Sequence, residues 1–286
     1  MKSFLPIHIA EYMSSLVGSS KSKIRAHRIV LRSLFSTAHD NGLIDREITR
    51  KLPTVTGTYT GHRALERWEI NMITKNYHQH RCGLGIMIML WAGLRKGEAA
   101  ALRWKDIDLE KGIIHVSRSL DYQHDTMKET KTEAGVRDVP IFAKLKEALL
   151  LEKKESGLVF TNVNGEQHTE PSIRRALEGF CFCMERIING FPNVENPSGF
   201  RIDTYKKKFE KENREWKSYK FTAHDLRTTF ATMCYDAGVD LHTVKRWMGH
   251  SNIETTLAIY TKLTEERRTE STQVMDAYSA KLDEAV

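Results

Sequence analysis

The stretch that most limits what this chain can become is GLGIMIMLWAGL, residues 83–94, which carries no charged side chain. A bilayer span takes about 20 apolar residues, so this run is too short to cross one. It has no polar stripe on any side, and it reads as a helix buried all round in the middle of a domain. Such a helix needs partners on every side. A chain of 286 residues supplies them, and its length favours two domains over one. With 40% hydrophobic and 28% charged residues it has the composition of a soluble globular protein. The first fifteen residues lack the continuous apolar run of a signal peptide. Cys82, Cys181, Cys183 and Cys234 have no disulfide-framework spacing, so they read as reduced thiols of a cytoplasmic protein. Cys181-x-Cys183, with His78, His80 and His168, makes zinc conceivable, but no pair has the spacing of a structural site, and no metal is expected.

Around that helix the chain is mostly helical. PIHIAEYMSSLV has apolar residues at helical spacing and stops at Gly18, and SKSKIRAHRIVLRSLFSTAHDNG runs from serine caps to Asn41-Gly42. KLPTVTGTYTGHRAL, residues 51–65, has no period and reads as a linker holding the domain boundary. Domains are therefore expected over 1–56 and 57–286. A helix over about 66–78 precedes the buried one, and GEAAALRW continues helically. KDIDLEKGIIHVSRSL alternates around Glu-Lys-Gly and reads as a hairpin, and KTEAGVRDVPIF adds a turn and a third strand, with Pro140 marking an edge or a strand end. Helices are expected over 142–153, 171–188, 224–236, 240–248, 253–262 and 271–283. The fold class is mainly α with a small antiparallel β-sheet.

The formal net charge of +7 favours an anionic partner. Residues 1–60 hold nine Lys/Arg against four Asp/Glu. Much of that surplus lies in KSKIRAHRIVLR, where Lys21, Lys23, Arg25, Arg28 and Arg32 form either a solvated helix face or a surface that tracks a DNA backbone. FRIDTYKKKFEKENREWKSYKF, residues 200–221, interleaves basic and aromatic residues. It reads as phosphate contact with base stacking or as an amphipathic helix with its aromatics inward.

Four boxes concentrate the chemistry. AGLRKGE puts Arg95 at the end of the buried helix with Glu98 one turn on. TKTEAGVRDVP puts Lys131 in a turn between strands. HDLRTTFAT sets His224 and Arg227 on one helix face, and MGHSNIETTLAIY brings His250 and Tyr260. This is the inventory needed to break a phosphodiester without a metal. With a pKa near 10, about one tyrosine in a thousand is phenolate at neutral pH, so a nucleophilic one needs cations or a base beside it. Guanidinium forks match the non-bridging oxygens bidentately. A lysine on a hairpin can protonate the leaving sugar oxygen.

In order, spacing and local context these boxes resemble the tyrosine recombinase (phage integrase) family, and the resemblance runs from about residue 19 to 270. It implies a helical N-terminal DNA-binding domain and a tyrosine-recombinase catalytic domain. It implies Tyr260 as nucleophile, Arg95 and Arg227 as phosphate clamp, Lys131 as general acid, His224 and His250 as supporting groups, and Glu98 as the residue orienting Arg95. It further implies a mobile-element or phage enzyme needing no cofactor and acting on double-stranded DNA as a homotetramer on a synapse. Accessory DNA-bending proteins are further partners, and no membrane is involved. Lys128, three residues before Lys131, is the competing general acid. The family's DNA-clamping domain usually has about four helices, of which this chain shows the second half, so residues 1–56 read as a truncated form.

Two rivals stand beside that reading. TTFATMCYDAGVDLHTVKRWMGHSN passes as a helix-turn-helix of a transcription regulator, and an inactive recombinase remnant would bind DNA without cleaving it. In the tail, Val274, Met275, Tyr278 and Leu282 make one apolar stripe on a short helix. So short a helix needs a surface to cover it, on its own domain or a neighbouring protomer.

Overall fold

The computed structural model describes residues 5–49, 52–57, 62–129, 135–192 and 202–250. The expected helices over 253–262 and 271–283 lie outside them, as do Lys131 and Tyr260. The chain divides into two compact units, Met1–His62 and Arg63–Val286.

The first unit is built on helices α1 (Pro6–Ser14) and α2 (Lys21–Asp40). Pro6 opens α1, where its missing N–H costs nothing. Ser20 caps α2 by accepting from the Lys23 amide at 3.3 Å. Ile9, Met13, Leu16, Ile24 and Phe35 form its core. Lys21, Lys23, Arg25 and Arg32 are exposed on α2, whereas the half-buried Arg28 donates to the carbonyl of Pro53.

The second unit surrounds α4 (Gly83–Ala92), in which every residue but Trp91 is buried. Around it lie α3 (Arg67–Asn76), α5 (Lys96–Ala101), α6 (Ala143–Leu151), α7 (Glu170–Ile188), α8 (Ile202–Lys211), α9 (Ala223–Asp236) and α10 (Leu241–Met248). Five short strands are β1 (Ile107–Asp108), β2 (Ile113–Val116), β3 (Arg118–Asp121), β4 (Thr126–Glu129) and β5 (Arg137–Pro140). The unit is mainly α with small antiparallel sheets, and α4 packs directly on α5, α6 and α9. Among the described residues no helix is long and apolar enough to cross a membrane.

Two local readings change, and a third is decided between its alternatives. GEAAALRW does not continue α4: Gly93 takes φ +63°, the chain turns, and α5 begins afresh at Lys96 and ends at Ala101. A side chain at Gly93 would meet the Phe230 ring at 2.4 Å, so only glycine allows both the turn and the close packing. One sheet becomes two. Strand β2 lies between β1 and β5 with Ile114 opposite Val139, and β3 pairs separately with β4. The second pair escaped notice because its turn contains no glycine; Asp125 supplies the positive φ of 49°. Finally, Tyr205, Phe209, Trp216, Tyr219 and Phe221 pack on the protein, which is the amphipathic alternative. Phe191 lies 4.7 Å from the Tyr205 ring, Phe209 lies 5.1 Å from that of Trp216, and Tyr219 and Phe221 join the main core.

Candidate active site

Four elements meet at the carbonyl end of α10. The turn at Gly93 brings Arg95 to the cap of α5, and Glu98 lies one turn inside. The Glu98 carboxylate accepts from the Arg95 backbone N–H at 2.9 Å and from its Nη1 at 2.8 Å, which ties it to the residue that opens α5. Glu98 is only 3% exposed. Burial alone would push its carboxyl upward. The Arg137 fork, with Nη2 at 2.8 Å and Nη1 at 3.1 Å, and the charge of Arg95 outweigh that and hold it below the usual carboxylate range.

The three guanidiniums then take three successive carbonyls. Arg137 Nε donates to Trp247 O at 2.6 Å, Arg227 Nη2 donates to Met248 O, and Arg95 Nη2 donates to Gly249 O at 2.9 Å. These are end carbonyls of α10 that have no partner within the helix, at the negative pole of its dipole. Arg227 comes from α9 and also donates from Nη1 to Gly93 O at 2.6 Å, so it ties the α4 turn to the α10 end. Its burial lowers its pKa to about 9, with Arg95 and Arg137 adding to the fall and Glu98 opposing it. Arg95 differs in keeping 41% of its side chain exposed. His250, next in the chain, is pushed down to about 3, first by burial and then by Arg227, Arg95 and Arg137. It is neutral at pH 7. His224 sits one turn before Arg227 on α9 with an exposed side chain.

The structure thus brings Arg95, Glu98, Arg227 and His250 together, with His224 on the same helix as Arg227. Lys21, Lys23, Arg25, Arg28 and Arg32 belong to the other unit. Arg137 is the member that sequence reasoning missed. Its signal lies within VRDVP, where Arg137 and Val139 alternate inward along β5, and an arginine at an inward strand position demands a buried partner.

Near this cluster, α5 carries the β3–β4 hairpin. A side chain at Gly97 would meet Ser119 Oγ at 2.6 Å, so helix and strand approach as closely as glycine permits. Lys96 Nζ lies 4.4 Å from the centre of the Tyr122 ring and 3.3 Å from Glu170 Oε1. On the hairpin itself, Lys128 is engaged with Asp121, which also pairs with His124 at 2.9 Å. Those contacts, Lys128 first, hold the Asp121 carboxyl far below its ordinary range. Among the described residues no group of three His, Cys, Asp or Glu is placed to hold a metal ion, and all four cysteines are buried free thiols. The cluster has three guanidiniums against one carboxylate and a neutral imidazole beside them. It can receive an anion through the exposed N–H groups of Arg95.

Comparison with known proteins agrees with this geometry. A family model described as the phage integrase family matches residues 63–187 and 191–267. The chain is 27% identical over 296 aligned positions to a XerC-like tyrosine recombinase of Caldanaerobacter subterraneus, covering 94% of this chain and 70% of that protein. It is 27% identical to the prophage integrase IntR of Escherichia coli, over 66% of this chain and 44% of IntR. It is 29% identical to the transposase of transposon Tn916 from Enterococcus faecalis, over 67% of this chain and 43% of the transposase. It therefore spans less than half the length of these last two relatives. Among solved structures, the Tn1549 transposon integrase in complex with a circular intermediate DNA matches with a TM-score of 0.65 at 20% identity, over 91% of this chain and 82% of that one. The XerH site-specific recombinase bound to a palindromic difH substrate matches at 0.61 and 23%, over 96% and 74%. Both likenesses concern the fold.

Proposed function

The chain belongs to the phage integrase family of tyrosine recombinases, and from that premise we propose that it is a site-specific recombinase. It cleaves and rejoins DNA through a 3′-phosphotyrosyl intermediate, without metal or ATP. The Tyr260 oxygen attacks the scissile phosphorus, and Arg95 and Arg227 stabilise the charge that builds on the non-bridging oxygens. Lys131 gives its proton to the departing 5′-oxygen. A 5′-hydroxyl from the same or another strand reverses the step, so the bond energy is kept. His224 and the neutral His250 exchange hydrogen bonds around the phosphate. Residues 1–56 act as a helical core-DNA-binding domain and 57–286 as the catalytic domain. The substrate is double-stranded DNA held in a homotetrameric synapse, with accessory DNA-bending proteins as further partners.

The observation that carries this reading is the meeting of Arg95 and Arg227 on adjacent carbonyls, with neutral His250 next in the chain. The engagement of Lys128 by Asp121 supports Lys131 as the general acid, because a lysine in a tight ion pair is a poor proton donor. The test is a nicked suicide substrate that traps covalent protein–DNA adducts. We expect adducts with the unaltered chain, in excess EDTA as well, and none with Tyr260→Phe, whose DNA binding stays close to normal. Adducts that survive Tyr260→Phe, or a strict need for Mg²⁺, would overturn the assignment. Binding without any adduct would favour a helix-turn-helix regulator or an inactive remnant.

A further inference from the structure

Arg137 has no part in the chemistry above, yet it is 6% exposed and every prong of its guanidinium is used. Two nitrogens face the two oxygens of Glu98, Nη1 also donates to Gly135 O at 3.3 Å, and Nε donates to Trp247 O. It is therefore the only residue among those described that joins β5, α5 and the end of α10 through one side chain. Glu98, in turn, is shared unequally: Arg137 gives it two side-chain bonds and Arg95 one. A carboxylate this buried needs its charge answered. With Arg137 removed, the nearest cation able to answer it is Arg95, which would turn both prongs inward and withdraw from the exposed face where a phosphate arrives.

We propose that Arg137 is a positioning residue for strand cleavage: it takes most of the Glu98 charge so that Arg95 keeps its exposed side toward the scissile phosphate, and it holds the carbonyl end of α10, hence His250, in register with Arg95 and Arg227. This rests on the recombinase reading. Arg137 acts through Glu98 and through the Trp247 carbonyl. Lysine cannot replace it, because one ammonium lacks the planar fork that spans a carboxylate and a carbonyl together.

The proposal makes the need for Arg137 conditional on the charge of Glu98, which simple packing does not. Four forms of the full chain separate the two: unaltered, Arg137→Gln, Arg137→Lys, and Glu98→Gln combined with Arg137→Gln. Single-turnover adduct formation on the suicide substrate and half-saturating DNA concentration are measured for each, with circular dichroism melting to follow folding. We expect Arg137→Gln and Arg137→Lys to slow cleavage about 10–100-fold, the usual cost of losing a group that orients a reacting one, with DNA binding changed about threefold or less. The double variant, with no buried charge left to answer, should cleave faster than Arg137→Gln alone. Cleavage at the unaltered rate in Arg137→Gln, or a double variant no faster than Arg137→Gln alone, would overturn the proposal. If Arg137→Gln melts before it can be assayed, Arg137→Lys and the double variant still decide the matter. Absence of adducts from the unaltered chain would instead overturn the recombinase reading itself.

Discussion

At the scale of single residues, the neutral His250 has a measurable signature. The unfolded chain takes up this proton near the ordinary value of 6.5, whereas the folded chain holds it off until about 3. Between those values the unfolded state binds more protons, so the contribution of His250 to stability is complete above pH 6.5 and is lost as the pH falls toward 3. The slope within that window is at most about 1.4 kcal/mol per pH unit. His250→Gln cannot titrate, so its stability gap from the unaltered chain should narrow steadily from pH 7 to pH 4.5 in urea unfolding. A gap that stays constant would mean that the imidazole takes up its proton as readily in the fold as in the unfolded chain. Residue types and spacing made Arg95, Glu98, Arg227 and His250 readable in advance, because each sits in a short box. Arg137 was not readable as a member, since what makes it one is a bond across 39 positions to Glu98 and another across 110 to Trp247.

Elements show the same division between local and distant causes. The helices announced themselves through apolar period and caps, as with the serine cap before α2. The β3–β4 hairpin did not, because its strands face partly to solvent and its turn is built from Asp121 to Asp125 without glycine. The end of α4 was legible as a stop near Arg95, but its exact place was not: the turn falls at Gly93, against the Phe230 ring of α9. This gives an element-scale prediction. Gly93→Ala should lose about 1–2 kcal/mol through the left-handed backbone alone, plus about 1–3 kcal/mol for overpacking on Phe230. Phe230→Leu in the Gly93→Ala background should recover the second part and not the first. Urea midpoints of the unaltered chain and the two variants check this, and unchanged stability in Gly93→Ala would show that the turn is not held there.

For the whole molecule, charge is the property that reaches furthest. Four exposed cations of α2 and the half-buried Arg28 were indistinguishable as sequence, yet Arg28 is spent on Pro53. If the exposed four track a DNA backbone, replacing Lys21, Lys23, Arg25 and Arg32 by Gln should flatten the plot of log affinity against log salt. The change is roughly 0.9 for each cation that meets a phosphate. Arg28→Gln should lower stability and leave that slope almost unchanged. Equal slopes in all variants would place the DNA contact elsewhere. The clasp at the end of α10 has a further consequence for a protein surrounded by small anions. In the absence of DNA, Arg95 and Arg227 already have the chain's own carbonyl oxygens as acceptors. Free phosphate or a nucleotide must compete with those carbonyls and has no other contact to make up the difference. A phosphate delivered by a duplex brings its neighbours with it, so the rest of the interface offsets the exchange. On the proposed reading the clamp is selective by company: it would answer to a phosphate embedded in a long polymer far more readily than to the same group arriving alone.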